Sequence, residues 1–196
     1  MGSIGMQRER EMTSAQQTRA YLEENLWPGY TVMQAADRST GSGPYGEWRR
    51  VLYAAVDDGA GNTTAHVLLY NAPGDGELYI KALHEEMGPA QYEDVPAKLL
   101  DALTPTASGS ANEWRQAARD WRTRSSEGRK RARAALGRMI TLAHPVRFGD
   151  PVGLVTRVHV ESATRWQDPA TGMRLKAPAG WHMYAFTIDS AVDAAA

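Results

Sequence analysis

Hydrophobic positions near the amino terminus follow a helical spacing. Tyr21, Leu22 and Leu26 form an apolar stripe, and residues 13–16 (TSAQ) have the spacing of a capping box, in which side chains satisfy the first amides of a helix. The stretch 27–29 (WPG) ends the pattern, because proline cannot continue a helix. A first helix is therefore predicted between these signals.

Four short extended runs come next, at residues 30–36, 48–56, 64–70 and 77–83. They are separated by STGSGPYG, DDGAGN and NAPGDG, which are rich in the residues that tight reversals need. An antiparallel meander is predicted. Its middle strands, VLYAAV and AHVLLY, are apolar on both faces, so we expect them to be central, with helices covering one side of the sheet.

Helical spacing returns after residue 90. Asp94 is the predicted N-cap of one helix, and a second capping box at residues 110–113 (SANE) opens another helix. We expect Gly128 to interrupt this second helix. The apolar positions of the two helices are Leu99, Leu100, Leu103, Trp114, Ala117, Ala118, Trp121, Ala132, Ala135, Leu136, Met139 and Ile140.

The last fifty residues alternate between apolar and polar positions, most clearly at 152–161, with further short strands at 173–176 and 181–188. They predict a small, barrel-like β unit. The predicted fold class is α+β, an antiparallel sheet packed by helices and followed by this β unit. The predicted organisation is a flexible start at 1–12, an α+β domain at 13–141, the β unit at 142–190 and a flexible tail at 191–196.

The composition excludes several classes of function but does not identify one. The 196 residues are 42% hydrophobic and 23% charged, with a net charge of -1, as expected of a globular protein without a polybasic coat. There is no cysteine, which excludes disulfides and thiolate chemistry. No apolar run reaches the ~18 residues that a membrane helix needs, so a cytoplasmic protein without a membrane partner is expected.

One stretch carries a specific pattern. Lys81 is followed by EMGP at 86–89, then by a proline-led Leu-Leu helix, LTPT at 103–106 and ANEWR at 111–115. This order resembles an uncharacterised family of proteins encoded by bacteriophages, prophages and other mobile elements. Val95 departs from the family pattern, which often has cysteine there.

The resemblance implies a phage or mobile-element accessory protein that acts in the cytoplasm of the host cell. The family has no established activity, so the resemblance supplies a biological setting and not a mechanism. No cofactor is predicted.

Titratable residues gather where the fourth strand meets the EMGP turn: Lys81, His84, Glu85, Glu86 and Tyr92. Such a position can present groups for proton transfer, so Lys81, His84, Glu86 and Tyr92 form the alternative, catalytic hypothesis. The structural alternative is an ion pair between Lys81 and Glu86 that fixes the turn.

A second candidate region is strongly basic. Residues 115–138 contain nine basic and two acidic residues, a local excess of +7. Arginines on one helix can bind phosphates or another acidic surface, although a solvated helix face would show the same composition. The predicted partner-binding residues are Arg115, Arg119, Arg122, Arg129, Lys130, Arg131, Arg133 and Trp166, the last as an exposed anchor.

The five histidines have no metal-ligand spacing, and no metal site is predicted, although His159 and His182 could meet across adjacent strands. The leading functional hypothesis is a non-catalytic protein that binds a host protein or nucleic acid. The alternatives are a small enzyme that uses Lys81 and Glu86 and a minor virion or assembly component.

Overall fold

A computed structural model describes residues 14–39, 50–71, 79–87 and 91–189. Two antiparallel sheets and three α-helices form an α+β fold, as predicted. The chain divides into two compact units, residues 1–122 and 123–196, and the boundary falls inside the longest helix. The predicted domain limits, at 13–141 and 142–190, stay a prediction.

The first unit is a four-stranded antiparallel meander, as predicted. Its elements are α1 (Ser14–Asn25), β1 (Thr31–Ser39), β2 (Arg50–Asp57), β3 (Thr63–Asn71), β4 (Tyr79–His84), a 3-10 turn (Glu85–Met87), α2 (Ala97–Ala102) and the start of α3 (Gly109–Ala134). The strands are ordered β1-β2-β3-β4. The tight β2–β3 turn contains Gly59 at φ +75°, in the left-handed region that glycine enters without strain.

Helices cover both faces of this sheet, whereas one covered face was predicted. Val51, Tyr53 and Ala55 of β2 pack with α2 and α3, while the alternate residues Leu52 and Ala54 pack in the cluster that contains α1. Successive side chains of a strand point to opposite faces, so an apolar run such as VLYAAV needs a cover on each side. Helix α1 covers the face that was predicted to be open.

Helix α3 is continuous, which contradicts the predicted interruption at Gly128. It begins at Gly109, and Ser108 rather than Ser110 accepts a hydrogen bond, from the amide of Ala111 at 3.3 Å. Asp94 was also wrong as an N-cap: it has φ +59°, and Pro96 occupies the cap of α2. Local cap signals were therefore correct to within a few residues.

The second unit is an open five-stranded antiparallel sheet in the order β8-β7-β6-β5-β9. Its strands are β5 (Met139–Arg147), β6 (Leu154–Ser162), β7 (Arg165–Gln167), β8 (Arg174–Lys176) and β9 (Phe186–Ile188), with a 3-10 turn at Trp181–Met183 before β9. Met139 and Ile140 were predicted to continue the apolar stripe of the helix, but they belong to β5. Gly137, at φ +72°, lies between the helix end and this strand.

The core of the second unit contains Ala132 of α3, Ala135 just after the helix, alternate residues of β6, and two tryptophans, Trp166 and Trp181. In the part of the chain that the structure describes, no helix combines the length and apolar character needed to cross a membrane.

Candidate functional site

The titratable cluster predicted at the end of β4 is divided between the two faces of the sheet. Leu83 packs in the cluster that contains α2 and α3, whereas Ile80 packs in the cluster that contains α1. Because strand residues alternate, Lys81 shares the face of Leu83, and His84 shares the face of Ile80. Lys81 is exposed, and so is Glu86. Lys81 and His84 therefore lie on opposite faces, whereas Oε2 of Glu86 lies 3.9 Å from Nδ1 of His84. The catalytic alternative stays a prediction.

Glu85, not Glu86, forms the ion pair that fixes this region. The Nε and Nη2 atoms of Arg115 each donate to one carboxylate oxygen of Glu85 at 2.7 Å, and Nη1 donates to the carbonyl of Thr104 at 2.6 Å. Both side chains are buried, with 1% and 5% of their surfaces exposed for Glu85 and Arg115. Arg115 was predicted to contact a partner, but its guanidinium is enclosed within the first unit.

The next residues are held by side chains that donate to backbone carbonyls. Trp114 Nε1 donates to Gln91 at 3.2 Å, and the hydroxyl of Tyr53 donates to the carbonyl of Glu93. Arg122, another predicted partner-binding residue, donates to a third carbonyl in this segment, that of Val95, at 3.0 Å. It is half-buried. Segment 91–95 is therefore part of the scaffold.

Two other predicted residues in this region belong to the packing. Tyr92 is half-buried against the core between the sheet and α2. Val95 is fully buried, so a cysteine at this position would be shielded from solvent and poorly placed to react. Gly88 and Pro89 of the predicted turn lie outside the described residues.

On the opposite face of the sheet, two histidines lie side by side. His66 and His84 are register partners on β3 and β4, with ring centroids 4.9 Å apart in an edge-to-face arrangement. Burial, followed by the nearby His84, lowers the pKa of His66 to about 4. The amide of Glu86 donates to Nδ1 of His84 at 3.3 Å. The sequence indicated His84 but not His66, whose proximity depends on strand register.

The basic residues in the second half of α3 differ from Arg115 and Arg122 in their exposure. Arg129, Lys130 and Arg133 are exposed. Arg131 is exposed but engaged: it donates to the carbonyl of Tyr184 at 3.2 Å, and its guanidinium carbon lies 5.1 Å from the centroid of the Phe186 ring. Arg119, in the first unit, is also exposed.

A groove of about 490 Å³ lies beside this half of α3. Three basic side chains line it, Arg129, Arg133 and Lys176, and the lining contains no carboxylate among the residues that the structure describes. The rest of the lining is mainly apolar or backbone: Ala132, Leu136, Ala163, Thr164, Ala177, Pro178, Ala179, Gly180, Trp181 and His182.

Spacing explains why one helix face reaches the groove. Arg129, Ala132 and Arg133 are at i, i+3 and i+4 of α3, so they share one face of the helix, and Leu136 follows in the turn after the helix end. Ala132 is buried, whereas 45% of Leu136 is exposed. The groove therefore has a closed apolar floor and a partly apolar rim between its cations.

A serine–histidine contact that the sequence did not predict lies at the groove wall. Ser125 Oγ lies 3.3 Å from Nε2 of His182. Ser125 is fully buried, so it holds the imidazole in place but cannot reach a substrate in the groove. The sequence signal for this contact is the row of small residues at 125, 128 and 132 on one face of α3, because small residues allow close backbone approach.

Gly128 belongs to that row of small residues. A Cβ atom at this position would lie 2.3 Å from the carbonyl oxygen of His182. The glycine is thus required for packing rather than for a helix break.

Trp166 was predicted to be an exposed anchor, and this is wrong. Its side chain is fully buried, packing edge-to-face against Trp181 with ring centroids 5.4 Å apart. Its indole N–H meets no acceptor among the described residues. Trp166 lies in a short strand, β7. The sequence pattern did not show which side chains of this strand point inward.

Among residues 14–39, 50–71, 79–87 and 91–189, no three histidine, aspartate or glutamate side chains come together as a possible metal site. His159 lies on β6, opposite Met139 and Gln167. His182 belongs to the turn before β9.

Comparison with known proteins gives one match. Residues 105–179 match the model of a family described as a domain of unknown function (DUF6927). No curated protein and no solved structure matches the chain. The matched segment contains Arg115, all of α3, and the groove residues from Arg129 to Ala179. Over these residues, the chain is similar to that family of unknown function.

Proposed function

We propose that the protein is a non-catalytic accessory protein of a phage or mobile element, which binds an acidic surface of a host protein through the second half of α3. The EMGP and ANEWR pattern supports the biological setting by resemblance. The exposed Arg129, Lys130 and Arg133 carry the binding proposal, since they are accessible and belong to the more basic unit.

Charge distribution supports this assignment. Residues 123–196 contain eleven basic and six acidic residues, a net charge of +5, while residues 1–122 contain eleven and seventeen, a net charge of -6. The overall charge of -1 hides this division. A positive surface attracts acidic partners over several ångströms and accelerates their encounter.

A protein partner fits this surface better than a nucleic acid. Apolar Leu136 is exposed between the cations, and protein interfaces combine apolar contacts with a charged rim. Trp166 and Trp181 are buried, so they provide no platform on which unpaired bases could stack.

The test is capture of partners from nuclease-treated host lysate at low and high salt. We expect a protein partner that is retained at low salt, lost at high salt, and lost from the variant R129E/R133E. The matched control is R147E/R165E, which makes the same charge change at two exposed arginines outside the groove, and it should retain the partner. Retention by R129E/R133E would refute the proposal. A partner captured only from a parallel lysate without nuclease treatment would identify a nucleic acid in place of a protein.

A further inference from the structure

The groove beside α3 has the size and lining of a small-molecule site. Its volume of about 490 Å³ lies within the range of roughly 300–1,000 Å³ that is usual for ligand pockets. Ala132, Ala177 and Trp181 provide a buried apolar floor. Such pockets typically combine apolar walls with a few polar groups that orient the ligand.

The charged side chains of this groove are all positive, and its other polar side chains are a neutral threonine and the imidazole of His182. Arg129, Arg133 and Lys176 line it, and none of the three forms an ion pair with a carboxylate that the structure describes. Two other cations of the second unit do form ion pairs, Arg157 with Asp189 at 2.7 Å and Arg174 with Glu161 at 3.3 Å. Among the described residues, the groove cations therefore have no carboxylate in direct contact.

Two arginines one helical turn apart repel each other. Arg129 and Arg133 are an i, i+4 pair on α3, and like charges at this spacing destabilise a helix. An anion between them would reverse that repulsion. Guanidinium groups bind carboxylates and phosphates through paired, charge-assisted hydrogen bonds, which suits them to this role.

We propose that this groove binds a small amphipathic anion, with its apolar body on the floor formed by Ala132, Ala177 and Trp181 and its anionic group between Arg129 and Arg133. Lys176 adds a third cation at the rim. His182, positioned by Ser125, forms part of the wall. Nucleic acid is a poorer occupant, because a phosphate backbone has no apolar body for this floor.

The inference does not rest on the proposed function, because ligand binding is measured on the isolated full-length protein without any partner. Decanoate is the probe, and decyltrimethylammonium, with the same alkyl chain and the opposite charge, is its control. Isothermal titration below micellar concentrations should show saturable binding of decanoate at one site per chain. The cation should bind at least about tenfold more weakly, since charged hydrogen bonds contribute ~1.5–3 kcal/mol and 1.4 kcal/mol is a factor of ten.

Three variants locate the site. R129Q/R133Q should weaken decanoate binding by about tenfold or more, and R147Q/R165Q should leave it unchanged. L136E, at a position that is 45% exposed, should also weaken decanoate without unfolding the protein, because it adds a carboxylate to the groove. Circular dichroism of each variant checks that the fold is retained.

Several results would overturn the inference. They are equal affinity for decanoate and decyltrimethylammonium, unchanged decanoate affinity in folded R129Q/R133Q, and absence of saturable binding. Acetate provides a last control. If acetate displaces decanoate with an affinity equal to that of decanoate itself, the groove recognises charge alone and the apolar floor plays no part.

Discussion

Replacement of Arg115 by methionine should destabilise the first unit strongly. The guanidinium makes two hydrogen bonds to Glu85 and one to the carbonyl of Thr104, and only 1% of Glu85 is exposed. In the R115M variant, a buried carboxylate loses its partner and has no access to water. Loss of one member of a buried pair costs about 3–5 kcal/mol, so we expect a decrease of this size in the free energy of unfolding.

Two further variants separate the buried charge from general effects of the substitution. R119M changes the exposed arginine one turn later in the same helix, and it should alter stability by no more than about 0.5 kcal/mol. The double variant E85L/R115M removes both charges together and should cost markedly less than R115M alone, because replacement of a whole buried pair by apolar residues is often neutral. The carbonyl of Thr104 then remains without its donor, a residual cost of about 1–3 kcal/mol.

The assay is urea unfolding followed by circular dichroism, with hydrogen exchange of β2 and β3 amides to assign the loss to the first unit. A cost below about 1 kcal/mol for R115M, or equal costs for R115M and R119M, would show that the pair contributes little. The same experiment bears on function. If Arg115 is structural, R115M should not change partner capture under conditions in which it remains folded.

The remaining predictions concern a titrating side chain and a close backbone approach. The pKa of His66 is about 4 in the folded protein against an ordinary value of 6.5, so the unfolded state binds the proton first as pH falls. The stability that the folded protein gains from a neutral His66 is present above pH 6.5 and is lost toward pH 4. Between pH 7.5 and 5, this loss lowers the free energy of unfolding by about 2 kcal/mol. Urea unfolding of H66Q at both pH values should show a smaller pH dependence than the parent, and an identical dependence would contradict the assignment. G128A should cost about 1–3 kcal/mol, because its Cβ would lie 2.3 Å from the carbonyl oxygen of His182. G109A in the same helix has no atom within 4 Å of the added Cβ, and thermal unfolding should show it to be neutral or stabilising by up to ~1 kcal/mol.

Patterns that repeat over many residues were predictive. The extended runs and the turn residues between 30 and 83 predicted four antiparallel strands, and their boundaries lie within three residues of the observed ones. VLYAAV also contained the information that both sheet faces are covered, but spacing alone does not show that α1 packs on the second face. The sequence therefore predicted the meander better than its packing.

Individual side chains were harder to assign because their exposure depends on tertiary partners. Arg115 and Arg129 look alike in a list of basic residues, yet one binds Glu85 in the core and the other lines a groove. Glu85 and Glu86 are neighbours, and the geometry of a 3-10 turn decides which of them is buried. Neither distinction is present in spacing or composition.

The buried pair between Glu85 and Arg115 restricts how this sequence can evolve. A lineage that loses the arginine first passes through an unstable intermediate, as does one that loses the carboxylate first and leaves the guanidinium enclosed. The two positions, thirty residues apart, are therefore expected to covary among relatives, with both charges retained or both replaced by apolar side chains.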